Sequence, residues 1–161
     1  MTASRAVRVP GWAAALALVG LVVAFDQGSK AAIHATIEPG DETPLFLGID
    51  LVNVSNSGVA FGFLGGGGDV VLGITIGALV VMLAWFAASP SRPGLWLAVG
   101  LLAGGALGNL ADRVRADAVT DFIDPPLWPA FNLADVAITL GAITLVFLVF
   151  AGERDGAASS P

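Results

Sequence analysis

Residues Val70 to Ala88 contain no charged side chain, and that run constrains the fold more than any other feature of the chain. A helix needs about 20 mostly apolar residues to cross a bilayer. Three other segments approach that length. Val9 to Phe25 is slightly short and is interrupted only by Pro10, a residue tolerated in a first helical turn. Gly94 to Ala111 is glycine-rich towards its end, and Leu133 to Ala151 carries one charge, Asp135, in its first turn. Composition agrees. The chain is 56% hydrophobic and 12% charged, whereas a soluble domain carries about 25% charged residues. The expected fold class is therefore an all-α membrane protein with four transmembrane helices, spanning about 9–25, 70–88, 94–111 and 133–151.

The same composition excludes several functions. A net charge of -6 opposes nucleic-acid binding, which requires a basic footprint. Without cysteine there is no disulfide, thiolate metal site or cysteine nucleophile. A single histidine, His34, makes a histidine zinc site or a Ser-His-Asp triad hard to build. Neither a metal nor another cofactor is expected, although a carboxylate site for Mg²⁺ stays open on composition alone. Val22-Val23-Ala24 has the small-residue look of a cleavage site, but the chain continues into a charged helical face, so the first span is expected to be retained.

An even number of spans places both termini on one side with the short turn Ser89 to Pro93. That side holds Arg5, Arg8, Arg92 and Arg154; the other holds Lys30, Arg113 and Arg115, spread over many more residues. Basic density puts the termini in the cytoplasm. Trp12, Trp85 and Trp96 then fall near the cytoplasmic interface and Trp128 near the outer one. In the long outer connection, Asp26 to Ile33 can continue the first helix beyond the membrane surface. Leu45 to Val54 and Ala60 to Leu64 read as strands bounded by turn residues, the second closed by Gly65 to Gly68. A small extracytoplasmic β-sheet and loop are expected over about 42–65, in one integral-membrane domain over 1–151, with a disordered cytoplasmic tail over 152–161.

Polar groups at span ends are functional candidates, because a charge in a membrane segment costs a few kcal/mol. Asp26 and Lys30 share a helix face at i, i+4, near Ser29; they form either an interfacial ion pair or part of a site. The segment Asn53 to Phe61 is either turn chemistry or a surface for an extended peptide. Gly104, Gly105 and Gly108 permit close helix packing, which leaves Asn109 unexplained. Asp112 opposes the helix dipole near a C-terminus and so is expected to have a partner, whereas Arg113 suits that position. Asp121 stands alone in the apolar sequence Val119-Thr120-Asp121-Phe122-Ile123. Asp135 lies three residues after Asn132, as in a capping box, yet it can reach the same outer region as Asp121.

Two carboxylates near a membrane interface suggest aspartic-protease chemistry. A close pair shares one proton. The ionised member takes a proton from the attacking water, and the protonated member polarises the peptide carbonyl. The N-terminal helix field favours the ionised form at Asp135, and the apolar neighbours of Asp121 favour its protonated form. A proton-coupled transporter would instead place its acids near the midplane between repeats, and a non-catalytic assembly subunit would tolerate loss of either acid.

The ordered motifs Asp26-x-x-Ser29-Lys30, Asn56-x-Gly58-x-Ala60-Phe61, Gly104-Gly105-x-x-Gly108-Asn109-x-x-Asp112-Arg113, Val119-x-Asp121-Phe122 and Phe131-Asn132-Leu133-Ala134-Asp135 resemble those of the bacterial lipoprotein signal peptidases (signal peptidase II). The resemblance covers about residues 10 to 150. It implies an inner-membrane aspartic endopeptidase that cleaves prolipoprotein signal peptides just before a diacylglyceryl-modified cysteine. It implies Asp121 and Asp135 as the catalytic pair, with Asn109, Arg113 and Asn132 around it and Asp26, Lys30 and Asn56 lining the substrate site. Gly108 and Asp112 belong to the same motifs. The expected partners are the lipidated prolipoprotein and membrane lipid. The expected state is a monomer in the inner membrane, with multiple spans, cytoplasmic termini and an active site near the outer face. Val59 departs from the alanine common in the family. The short gap of 13 residues between the two acids leaves the shape of that loop open.

Overall fold

The computed structural model describes residues 11–57, 67–88 and 92–158. It contains four helices, α1 (Gly11–Thr36), α2 (Gly67–Ala88), α3 (Leu95–Ala116) and α4 (Leu133–Ala158), and three strands, β1 (Glu42–Phe46), β2 (Ile49–Asn56) and β3 (Val119–Asp124). Among the described residues, three helical segments are long and apolar enough to cross a membrane: Gly11–Thr36, Leu95–Ala116 and Leu133–Ala151. Gly73–Ala88 is apolar but shorter. With its three-stranded sheet, the protein is a helical membrane fold with a β element, and "all-α" describes it too narrowly.

Helix α3 lies at the centre, against α1, α2 and α4. Glycines make its close contacts. A Cβ at Gly100 would meet Leu18, at Gly104 Val22, and at Gly108 the carboxylate of Asp26. These contacts advance together along both chains, so α1 and α3 run parallel. On another face, Gly105 meets Ala134 and Ile138 while Gly141 meets Leu102, so α3 and α4 run antiparallel. Small residues allow this backbone approach, which dispersion stabilises where the hydrophobic effect is weak.

Two apolar clusters close the ends of the bundle. Ala15, Phe86, Leu95 and Val99 form one, with Trp85 and Leu145 against it. Beside it, Trp12 and Phe86 pack with their rings tilted by 56° and centroids 4.6 Å apart, and Arg92 lies 6.0 Å above the Trp85 ring. This end gathers the aromatic and basic residues expected at one interface. At the opposite end, Ile33, Ile37 and Phe122 join α1 to the sheet, with Leu51, Ile123 and Leu133 packed around them.

The sheet differs from the expected one. It has the order β1-β2-β3 and is antiparallel throughout. The single strand expected over Leu45 to Val54 is two strands, because Leu47 and Gly48 hold φ values of 51° and 79° and turn the chain between Phe46 and Ile49. Positive φ at both central residues makes a tight hairpin. The third strand comes from Val119–Asp124, 63 residues beyond the end of β2. The strand expected over Ala60 to Leu64, Gly65 and Gly66 of the glycine run, and the start of the turn at Ser89 lie outside the described residues. Both α1 and α3 continue past their expected span ends, α1 carrying Asp26 and Lys30 with it as anticipated. Helix α4 runs on to Ala158 instead of stopping at residue 151, since Glu, Arg and Ala favour helix and no proline interrupts them.

Candidate active site

Every candidate acid lies at the end of the bundle that carries the sheet. Among the described residues the most deeply buried ionisable side chains are Asp26, Lys30 and Asp121, 0%, 3% and 3% exposed. Burial of this kind requires a partner for each charge. The Lys30 ammonium donates to Asp26 Oδ2 at 2.8 Å and to Asn109 Oδ1 at 3.1 Å, and forms an ion pair with Asp112 Oδ2 at 2.7 Å. Asp26 Oδ1 accepts the Ala134 backbone N–H at 3.0 Å, which ties α1 to the first turn of α4. Asp112 has the partner that its position against the helix dipole demanded: besides Lys30, it accepts the Thr120 N–H at 3.3 Å. Gly108 leaves room for Asp26, because a Cβ there would sit 2.5 Å from Oδ2.

From this ion cluster a chain of amides leads to the two candidate catalytic acids. Asn109 receives Lys30 on its oxygen and donates its Nδ2 to Asp135 Oδ1 at 2.8 Å. Asn132, fully buried, donates Nδ2 to Asp121 Oδ1 at 2.8 Å and to Asn109 Oδ1 at 3.2 Å. Its backbone N–H donates to Asp135 Oδ2 at 3.2 Å, while its Oδ1 accepts the Asp135 N–H at 3.0 Å. The capping box is therefore present, and the same Asn132 also binds Asp121. The cap thereby joins Asp121 and Asp135 in one hydrogen-bonded arrangement.

The loop between the acids explains how they meet. Phe131 and Ile123 exchange backbone hydrogen bonds at 3.0 and 2.9 Å, and Leu127 turns the chain with φ 69°. The segment thus folds back on β3 and sets Asn132 beside Asp121. The 13-residue gap, from Phe122 to Ala134, is enough for this hairpin.

Asp121 is 3% exposed and accepts Asn56 Nδ2 on Oδ2 at 2.9 Å. Burial on the sheet pushes its carboxyl above the usual carboxylate range, and the like charge of Asp135 pushes the same way. Hydrogen bonds from Asn56 and Asn132 and the charge of Lys30 oppose the shift without cancelling it. The two acids open on different clefts. One of about 240 Å³ includes Val54, Asn56, Asp121 and Pro129. The other, about 300 Å³ and largely apolar, is lined by Trp128, Phe131, Asp135, Val136, Thr139 and Leu140.

The remaining candidates divide. Asn53 donates to the Ile37 carbonyl at 2.8 Å and holds the end of α1 against β2, so it is the structural member of its segment, while Asn56 reaches Asp121. Ser29 bonds its own helix at Asp26 O, 2.8 Å away. Arg113 is half-buried and its guanidinium approaches the Asn109 carbonyl at 3.5 Å. Gly58, Ala60 and Phe61 lie outside the described residues. Gln27 and Thr120, variable positions in the motifs, both enter the network: Gln27 donates to Asp112 Oδ1 at 2.8 Å, and the Thr120 carbonyl accepts Asn132 at 3.3 Å.

With this geometry in hand, the chain matches the family model described as signal peptidase (SPase) II over residues 18–151. The chain belongs to the signal peptidase II family. The lipoprotein signal peptidase of Moorella thermoacetica is 43% identical over 143 residues, which cover 86% of this chain and 95% of that protein. That of Nitratidesulfovibrio vulgaris is 44% identical over 146 residues, covering 84% and 86%. The fold is similar to a bacterial membrane enzyme solved by the in meso method at 1.9 Å, with a TM-score of 0.76, 32% identity and coverage of 84% of this chain and 91% of that one. In this signal peptidase II family member, Asn56 donates its Nδ2 to Asp121 Oδ2. Asn56→Ala is expected to lower turnover about twofold to tenfold, the loss of one buried hydrogen bond. The check is the steady-state rate per folded protein; unchanged turnover would reduce Asn56 to a strand-end residue.

Proposed function

We propose that this chain removes signal peptides from prolipoproteins as an aspartic endopeptidase, with Asp121 and Asp135 as its catalytic pair. One observation carries the reading: Asn132 hydrogen-bonds both carboxylates, which come from separate elements, β3 and α4. In this mechanism Asp135, oriented by Asn109 and Asn132, takes a proton from the attacking water. Asp121, protonated in its buried position, hydrogen-bonds the scissile carbonyl as the oxyanion forms and later helps protonate the leaving amine. Asn109 and Asn132 keep the pair in register. Arg113 and Asn56 support the peptide side, and Asp26, Lys30, Gly108 and Asp112 form the base on which the pair stands.

The membrane arrangement follows from the same reading. Four helices cross the bilayer, the termini are cytoplasmic, and the pair lies near the outer face of the inner membrane, where a lipid-anchored peptide bond would be found. Trp12, Trp85 and Arg92 mark the opposite interface. The chain acts as a monomer, with membrane lipid around it. The scissile bond precedes a diacylglyceryl-modified cysteine. Its peptide enters the cleft beside Asn56, and its acyl chains meet the apolar wall of Trp128, Val136 and Leu140 beside Asp135.

Because each buried CH₂ contributes about 0.8 kcal/mol, the acyl chains dominate affinity. Purified protein is expected to cut a lipidated precursor before its modified cysteine and to leave an unlipidated precursor of identical sequence essentially uncut. Equal rates on the two would overturn the lipid-directed reading.

A further inference from the structure

The buried ion cluster beneath the acids is unbalanced in charge. Asp26 and Asp112 contribute two carboxylates and Lys30 one ammonium, with side chains 0%, 10% and 4% exposed. Lys30 pairs with both carboxylates and donates to Asn109 as well. A surplus negative charge in so enclosed a place needs further donors. Gln27 supplies them. Its Nε2 lies 3.1 Å from Asp26 Oδ2 and 2.8 Å from Asp112 Oδ1, and it also reaches the Gly108 carbonyl at 3.2 Å. Its Oε1 accepts Arg115 Nη1 at 2.5 Å. Arg115 is exposed, so its charge reaches the cluster at one remove, through a polarised amide.

The cluster also carries mechanical weight for the site. Asp112 holds the backbone N–H of Thr120, the residue before Asp121. Asp26 holds the backbone N–H of Ala134, the residue before Asp135. Each catalytic acid is therefore anchored through its preceding residue to one member of the carboxylate couple, and Gln27 ties those two members together alongside Lys30, sharing Asp26 Oδ2 with it and taking the other oxygen of Asp112. We propose that Gln27 and Arg115 act as a positioning couple that fixes the separation of Asp121 and Asp135. This rests on the peptidase reading above. Neither residue lines the clefts on which Asp121 and Asp135 open. Arg115 works through Gln27, and Gln27 works through the two carboxylates.

The experiment uses the purified full chain and a lipidated precursor, with kcat, KM and thermal midpoint measured for the wild type, Asp135→Asn, Gln27→Leu, Arg115→Ala, Arg115→Lys and the double variant Gln27→Leu/Arg115→Ala. Gln27→Leu is expected to lower kcat about tenfold, with KM changed less than about twofold. Arg115→Ala is expected to lower kcat about threefold and Arg115→Lys to restore most of it, because a charged donor to Oε1 remains. The double variant should match Gln27→Leu alone, since one residue acts through the other. A folded Gln27→Leu or Arg115→Ala protein whose kcat stays within about twofold of wild type overturns the proposal, as does a double variant whose losses multiply. If Gln27→Leu does not fold, the two Arg115 variants decide by the same criterion. Failure of the underlying reading looks different: the wild type would not cleave, or Asp135→Asn would cleave as well as it does.

Discussion

Asp121→Asn and Asp135→Asn are each expected to abolish cleavage while leaving binding of the lipidated precursor intact. One carboxylate cannot serve as base and acid in the same cycle, and a positioned proton-transfer group contributes about 10²–10⁴-fold. The pH dependence separates the two roles. Asp121 must be protonated to polarise the carbonyl, and burial, reinforced by Asp135, raises its pKa above 3.8. Turnover is therefore expected to fall as pH rises through that raised value. The same shift bears on stability. The folded state holds this proton more tightly than the unfolded chain, so the contribution of Asp121 to stability is fully present below pH 3.8 and is lost as pH rises through its folded-state pKa. Asp121→Asn removes that window; Asp135→Asn removes only the part due to its charge. Rates and thermal midpoints measured across pH check both statements. Substantial cleavage by either folded variant would remove that residue from the pair.

Much of this site was legible because the bilayer makes polar groups conspicuous. Asp26, Lys30, Asn109 and Asp112 stand out against apolar helices, and the unfavourable dipole position of Asp112 correctly implied a partner, found in Lys30. The sheet was less legible. Leu45 to Val54 alternates poorly, and its hairpin depends on Leu47, which takes a left-handed φ that its side chain does not advertise. Gly48 was the available signal, since an isolated glycine within a strand pattern marks a bend. Strand β3 was obscured because Asp121 is a buried carboxyl group where the period of two would place an apolar residue. The partners of Gln27 and Thr120 are set by helix packing across more than 80 residues and by backbone donors, and neither leaves a local pattern. Asn53 and Asn56 illustrate the same limit. They are alike in composition and spacing, yet one closes a helix end and the other holds a candidate catalytic acid.

Gly105→Ala is expected to damage both fold and catalysis, although alanine is the better helix former by about 1 kcal/mol. The added methyl would strike the Ala134 carbonyl oxygen and come within 2.8 Å of Ile138 Cγ1 and 3.2 Å of the Ile138 nitrogen. Two of those atoms belong to the α4 backbone and cannot rotate away, so α3 and α4 must separate. Overpacking of this kind costs about 1–3 kcal/mol, which exceeds the propensity gain. The site lies on the same seam: Asn109 is one turn along α3, and Asp135 follows Ala134 on α4. A shift of a few tenths of an ångström strains the 2.8 Å bond from Asn109 to Asp135 and, through Ala134, the 3.0 Å bond to Asp26. The expected result is a lowered thermal midpoint and a more than tenfold loss of kcat, of the order of one charge-assisted hydrogen bond. Gly77→Ala is the control, because a Cβ at Gly77 meets no atom within 4 Å; it should gain slightly in stability and keep its rate. Equal behaviour of the two variants would show that α3 and α4 do not need this close approach to hold the carboxylates together.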